Sequence, residues 1–212
     1  SVLLLTISRG WKLIRPLLRK PQKLLWVAVA AVFILINWQV YVIAVNSGQV
    51  AQSALGYFIN PLVTILLAVL FLREKLRATQ WVAVGLGAVA VIVLTFDYGS
   101  IPWIALTLAF SFGIYGLAKN RVGSSIPPLV SFTLESSMLL PLAIIQASIV
   151  FYLDGALSFG TVGFWGSLGL AFFGFMTAIP LIMFGVAAKN VPLRYIGFMQ
   201  YLTPVLQFLL AL

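Results

Sequence analysis

Tyr57-Phe58-Ile59-Asn60-Pro61-Leu62 lies inside a long apolar run, and a weaker echo, Gln200-Tyr201-Leu202-Thr203-Pro204-Val205, lies inside another 143 positions later. The pairing predicts two related membrane halves. Copies separated by an odd number of spans run antiparallel, which is the inverted repeat of many secondary transporters. Span counting therefore decides the fold and much of the function.

Composition fixes the class. Of 212 residues, 62% are hydrophobic and 8% charged, too little polar surface for a soluble globule of this size. Thirteen Lys and Arg against four Asp and Glu give a net charge of +9. In a soluble protein that excess suggests nucleic acid; here the charges sit between apolar runs and read as topology signals, so no nucleic-acid partner is expected. The chain has neither Cys nor His, which removes disulfides, thiolate chemistry and the usual zinc or haem ligands, and no cofactor is expected.

A membrane-crossing helix needs about 20 apolar residues. Seven stretches qualify: Leu24 to Val45, Ala54 to Leu72, Ala78 to Phe96, Ile101 to Ala118, Leu129 to Leu153, Phe164 to Ala188 and Leu193 to Leu212. No alternation of the outer-membrane barrel type accompanies them, so they are helices. Arg9, Lys12, Arg15, Arg19, Lys20 and Lys23 precede the first. Arg73, Lys75 and Arg77 follow the second, Lys119 and Arg121 the fourth, and Lys189 and Arg194 flank the sixth and seventh. The intervening loops, Asn46-Ser47-Gly48-Gln49, Asp97-Tyr98-Gly99-Ser100 and Asp154-Gly155, carry no basic residue. Basic loops lie on the cytoplasmic side, so the alternation also checks the count.

The two Pro-containing copies then stand five spans apart and antiparallel, as in an inverted five-plus-five repeat. The fold expected is an all-α membrane bundle of about seven full spans plus part of another, truncated from ten. Residues 1–96 read as the end of the first half (part of span 2, spans 3–5). Residues 101–212 read as the second (spans 6–8 and most of 9, with span 10 missing). The repeat offset implies a complete chain of roughly 280 residues. Val2 to Ile7 is too short to span and reads as the tail of a truncated helix rather than a signal peptide.

Residues along nearly the whole chain carry a family resemblance. Ala44-Val45-Asn46, Ala54-Leu55-Gly56-Tyr57-Phe58-Ile59-Asn60-Pro61-Leu62, Phe71-Leu72-Arg73-Glu74-Lys75 and Gln80-Trp81 resemble the RarD group of EamA-type carriers in the drug/metabolite transporter superfamily. Ala109-Phe110-Ser111-Phe112, Tyr115-Gly116-Leu117, Leu134-Glu135, Leu139-Leu140-Pro141 and Gly197-Phe198-Met199-Gln200-Tyr201 continue it. The resemblance implies ten helices in two inverted halves, termini inside, a central substrate cavity, and export of small molecules across the cytoplasmic (inner) membrane of a bacterium. The RarD name is associated with chloramphenicol sensitivity.

Glu135 is the acidic residue well inside a span. Counted from Pro127 at 1.5 Å per residue it lies roughly 12 Å into a 30 Å core. An ionisable group there costs at least about 2.5 kcal/mol on insertion scales, so it faces a wet cavity or a partner. Its functional reading is a proton-coupling or cation-recognising carboxylate. The competing reading is a hydrogen-bonded Glu, or one reaching a vestibule near Lys119 or Arg121. Pro61 and Pro204 each remove a helix hydrogen bond, and as a pair in both halves they read as hinges or cavity walls rather than plain kinks.

Asn37, Trp38 and Tyr41 share one helix face. With Tyr57, Asn60, Tyr115, Gln200, Tyr201 and Gln207 they are the candidate pocket for amphipathic substrates, by ring stacking and a few hydrogen bonds. Taken singly, each reads better as an interhelical bond or an interface anchor. Trp26, Trp81, Trp103 and Trp165 read as belt anchors. Gly85-Leu86-Gly87 and the stretch from Gly166 to Gly174 read as small-residue packing surfaces. Arg73-Glu74-Lys75 reads as a solvated turn, with a gate-closing charge pair less favoured.

An intramembrane enzyme needs paired acids, a nucleophile with its base, or a metal cluster, and none is visible. A channel needs a filter or a charged ring, and that alternative, with a passive scaffold, stays behind a secondary carrier working by alternating access. The partners this reading allows are a small-molecule substrate, membrane lipid, protons and a second copy of the chain.

Overall fold

The computed structural model describes Thr6, residues 20–97, 101–123, 126–154, 161–203 and Leu206. Among these residues the chain is helical and holds no strand. The helices are α1 (Pro21–Asn46), α2 (Val50–Leu72), α3 (Ala78–Asp97), α4 (Trp103–Val122), α5 (Pro128–Asp154), α6 (Gly163–Asn190) and α7 (Leu193–Gln200). Each falls on one of the apolar stretches, because a backbone in hydrocarbon has to satisfy its own N–H and C=O groups. By length and composition α1, α2, α5 and α6 are long and apolar enough to cross a membrane, and α3 holds a shorter apolar stretch, Ala78–Val93. The chain is an all-α membrane protein. Pro204, Gln207, Arg9, Lys12, Arg15, Arg19, Tyr98 and Gly155 lie outside the described residues.

The turn from α1 to α2 is local chemistry. Gly48, at φ +74°, takes the left-handed position after the helix. The Gly48 N–H then donates to Val45 O (3.2 Å) and the Gln49 N–H to Ala44 O (2.8 Å). This is a Schellman stop, which satisfies carbonyls the helix end leaves open.

The basic ends of the helices gather on one side. Val27 near the start of α1 packs with Val122, Ile126 and Val130 around the α4–α5 turn. Arg121 donates to Phe71 O at the end of α2 (2.6 Å), and Asn120 donates to Ala188 O near the end of α6 (2.9 Å). Arg73, Lys119, Arg121, Lys189 and Arg194 therefore share one end of the bundle, as the alternating charges require.

Inside the bundle α2 is the contact-rich helix. Its Leu55, Ile59, Val63 and Leu67 pack on Ala105 and Ala109 of α4, while Ala68 joins Leu193 and Ile196 of α7. α7 runs antiparallel to α2: Leu193 meets Glu74, Gly197 meets Pro61 and Ile65, and Gln200 meets Thr64. The Pro61 segment of α2 thus touches α7, whose last residue, Gln200, opens the second segment singled out in the sequence.

Close approach makes these contacts. A Cβ on Gly197 would lie 2.6 Å from Ile65 Cγ1 and 3.2 Å from Pro61 O; one on Gly113 would lie 2.9 Å from Val63 Cγ1. The glycines expected to pack behave unevenly. Gly87 faces the Tyr201 hydroxyl, whereas Gly85, Gly169 and Gly174 have nothing within 4 Å of an added Cβ. Gly197→Val is expected to lower stability by about 1–3 kcal/mol through overpacking. Gly85→Ala is expected to be neutral or stabilising by up to about 1 kcal/mol. Unfolding midpoints in detergent compare the two.

Candidate functional site

A cavity of about 360 Å³ opens between α1, α2, α4 and the α7 region. That is room for a small molecule. Asn37, Trp38 and Tyr41 come from α1; Ser53, Gly56, Tyr57 and Asn60 from α2; Leu108 and Phe112 from α4; Gln200 and Thr203 from the α7 segment. Of the residues the sequence nominated, Asn37, Trp38, Tyr41, Tyr57, Asn60 and Gln200 line it. Ser53, Gly56, Leu108 and Phe112 were not nominated, and Thr203 only as the neighbour of Pro204 in the candidate hinge or cavity wall. Ser53 had a usable signal, since positions 53, 57 and 60 fall on one helix face.

Tyr115 and Tyr201 are placed elsewhere. Tyr115 sits about one turn beyond Phe112, fully buried and stacked on Phe184 with centroids 5.6 Å apart. Tyr201 follows Gln200 by one residue, a rotation of about 100°, so Gln200 faces the cavity while the Tyr201 hydroxyl abuts Gly87 of α3. Both hydroxyls are buried without a hydrogen-bond partner.

The polar lining is set by neighbours. Asn37 Nδ2 donates to Leu108 O (2.9 Å) and to Ser111 Oγ (3.0 Å), and the Ser111 hydroxyl donates to Leu108 O (3.1 Å). Thr64 Oγ1 donates to Gln200 Oε1 (3.2 Å) and lies 3.5 Å from Asn60 Oδ1. Tyr41 and Tyr57 meet edge to face at 6.4 Å. Pro61 supplies no N–H to the Tyr57 carbonyl one turn earlier, which weakens α2 beside the cavity.

Glu135 does not face the cavity. It lies 3% exposed against Lys119, whose Nζ donates to Glu135 Oε1 at 2.7 Å and to Ser131 Oγ at 3.1 Å, while Ser131 Oγ donates to Glu135 Oε1 at 2.6 Å. Lys119 Nζ also stands 5.7 Å from the Tyr115 ring centroid. Phe112, Tyr115 and Phe184 form an aromatic layer between this ion pair and the cavity. The partner's identity was legible only as a neighbourhood, because Lys119 and Glu135 sit on different helices.

Glu74 corrects its expected role as part of a solvated turn. Arg73 adopts a left-handed φ of 55°, which turns the chain sharply at the end of α2. The Glu74 carboxylate then accepts from the Leu193 N–H (2.8 Å) and the Arg194 N–H (3.1 Å), with Arg194 Nη1 3.8 Å away. An anion at a helix N-terminus meets unpaired N–H groups and the positive end of the dipole. The carboxylate ties α2 to α7 at the basic end. Trp26 packs partly buried against the clusters around Val27 and Ala30.

Residues 1–96 match the EamA-like transporter family. The chain is similar to protein RarD of Streptomyces exfoliatus, with 47% identity over 97% of this chain and 64% of the relative. It is 40% identical to protein RarD of Escherichia coli over 99% of this chain and 70% of that protein. With the chloramphenicol-sensitive protein RarD of Pseudomonas aeruginosa it shares 27% identity over 99% of this chain and 70% of the relative. The chain spans about two thirds of the length of these curated relatives. No solved structure matches.

Glu135→Leu is expected to destabilise by about 3–5 kcal/mol, because it strands a buried ammonium. The double change Lys119→Met with Glu135→Leu is expected to recover most of that loss, read as unfolding midpoints in detergent.

Proposed function

The chain belongs to the RarD-type group of the drug/metabolite transporters, and from that premise we propose that it is the core of a secondary carrier exporting small amphipathic molecules from a bacterium. The observation that carries the reading is the convergence of Asn37, Trp38, Tyr41, Tyr57, Asn60 and Gln200 on one cavity. They come from the consecutive helices α1 and α2 and from the end of α7, much later in the chain. Chloramphenicol-type compounds are candidate cargo, on the name of the Pseudomonas aeruginosa relative.

In this reading all seven apolar stretches cross the inner membrane, with the basic end cytoplasmic. Residues 1–96 and 101–212 belong to two inverted halves, and Pro61 and Pro204 are hinges. The antiparallel contact of α2 with α7 supports that arrangement. The cavity lies toward the other end: along α1 and α2, Tyr41 and Tyr57 stand roughly 25–30 Å from the basic termini at 1.5 Å per residue. The basic end is closed by Glu74 on α7, by Arg121 on Phe71 O and by the Lys119–Glu135 pair. Such a state is open outward, and rocking of the halves exchanges it for its opposite.

Glu135 is the proton-coupling candidate. A proton taken up there releases Lys119, which gives the buried pair two alternative arrangements. In vesicles holding the full-length protein, Glu135→Gln is expected to abolish gradient-driven uptake while sparing counterflow exchange. Driven uptake at the normal rate removes the role. Tyr57→Ala and Gln200→Ala are each expected to weaken cargo binding at least about fivefold, the loss of one polar or ring contact. Unchanged affinity in both refutes the site.

The Glu74 clasp has its own test. The chain holds no cysteine, so Leu117→Cys is a clean reporter buried behind the clasp. Glu74→Ala is expected to raise labelling of that cysteine from the cytoplasmic face several-fold. An unaltered labelling rate removes Glu74 from closure.

A further inference from the structure

Among the described residues the cavity lining holds no charged side chain: its polar groups are Asn37, Ser53, Asn60, Gln200 and Thr203, with the hydroxyls of Tyr41 and Tyr57. Two of its polar atoms, Ser53 Oγ and Gln200 Nε2, are buried without a hydrogen-bond partner. Asn37 is fixed in orientation, because Leu108 O can only accept and therefore selects the amide nitrogen, and Ser111 Oγ takes the second N–H. Both donors of Asn37 are spent on α4. Its Oδ1 is left with no partner among the described residues, and it is an obligate acceptor.

Gln200 is oriented in the complementary sense, with Oε1 toward the Thr64 hydroxyl (3.2 Å) and Nε2 left without a partner as the free donor. Beside the Asn60 amide and the hydroxyls of Thr203, Tyr41 and Tyr57, the site thus offers Asn37 Oδ1 as an acceptor, Gln200 Nε2 as a donor and Ser53 Oγ, which serves either way. Trp38, Tyr41, Tyr57 and Phe112 supply ring surface around them.

We infer that this cavity selects uncharged cargo that joins an aromatic ring to a group able both to donate and to accept, such as a carboxamide. Asn37 and Gln200 are the specificity-determining residues. The inference deepens the carrier reading above and rests on it.

Charge is rejected from both directions. A carboxylate brings no hydrogen to Asn37 Oδ1 and meets no cation in the lining; an ammonium offers nothing to Gln200 Nε2 and meets no anion. Either ion leaves its water shell for a described lining that holds no opposite charge, and also leaves either Asn37 Oδ1 or Gln200 Nε2 unpaired. A site built to hydrogen-bond its ligand discriminates strongly against analogues that cannot reciprocate. Ser111 acts through Asn37: without it one Nδ2 hydrogen is freed, which blurs the acceptor character of that end.

Three probes of nearly one shape test this: phenylacetamide, phenylacetate and phenethylammonium. Binding to the full-length protein in nanodiscs is followed by ligand-observed NMR. The amide is expected to bind at least about tenfold more tightly than either ion, the discrimination of one unmade hydrogen bond plus an unpaired charge. Gln200→Glu is expected to reverse the order in favour of phenethylammonium, a gain that misfolding does not mimic. Ser111→Ala is expected to narrow the gap between amide and ions. Equal binding of the three probes to the wild-type protein overturns the inference and leaves the cavity standing as the cargo site. Failure of all three to bind, while the protein still transports, overturns the inference together with the cavity reading beneath it.

Discussion

Close contact between α2 and its neighbours is the constraint on which the rest of the structure depends. Lipid tails are as apolar as leucine, so burial of apolar surface gives helices in a bilayer little reason to associate. What remains is dispersion at short range and the pairing of polar groups. α2 obtains the first where Gly56, Gly113 and Gly197 remove the Cβ that would hold α4 and α7 away. It obtains the second at its end, where Glu74 satisfies the first N–H groups of α7. The cavity is a consequence of the same geometry: where small residues give way to Tyr57 and Trp38, the helices part.

That the apolar stretches are helical was legible because the bilayer imposes it, and among the described residues four of the helices are long and apolar enough to cross. An apolar run of span length has one good backbone solution, and the loops between runs carry the charges that sort its ends. Which way each helix faces was much harder to read. A helix that is apolar all round gives no stripe to mark its inner face, so α5 and α6, with Ile145, Ile149, Phe172 and Phe173 exposed, look in sequence no different from α2. The pocket residues that could be named were the polar and aromatic ones, since those alone stand out against an apolar background. Tyr115 and Tyr201 stand out equally and are turned elsewhere by one helical step. Glu74 shows the opposite failure. Between Arg73 and Lys75 it reads as part of a solvated turn, and only the left-handed φ at Arg73 aims it at a helix start more than a hundred positions later.

The buried Lys119–Glu135 pair is best understood as something other than a stabilising device. Taking two charges out of water costs several kcal/mol per ion, and an apolar pair of the same volume generally serves stability as well or better. Among the described residues the pair is satisfied by short contacts with Ser131 and with each other, and the lysine also leans on the face of Tyr115. If Glu135 is the coupling group proposed above, a proton taken up there leaves Lys119 needing a new partner, and α4, α5 and α6 all pack around it.

The aromatic layer sets how that instability reaches the cavity. Phe112 belongs at once to the cavity wall and to the cluster with Tyr115 and Phe184, and Tyr115 bears on Lys119. A ligand that presses on Phe112 therefore pushes on the same packed rings that a shift of Lys119 would release. Packed interiors respond to such pressure by switching between discrete arrangements rather than by deforming smoothly. Coupling of cargo to a proton then requires only that the two arrangements of the ring cluster differ in how they seat Phe112 and Lys119. Residues between the sites, Tyr115 and Phe184, would carry the coupling energy without touching either proton or cargo.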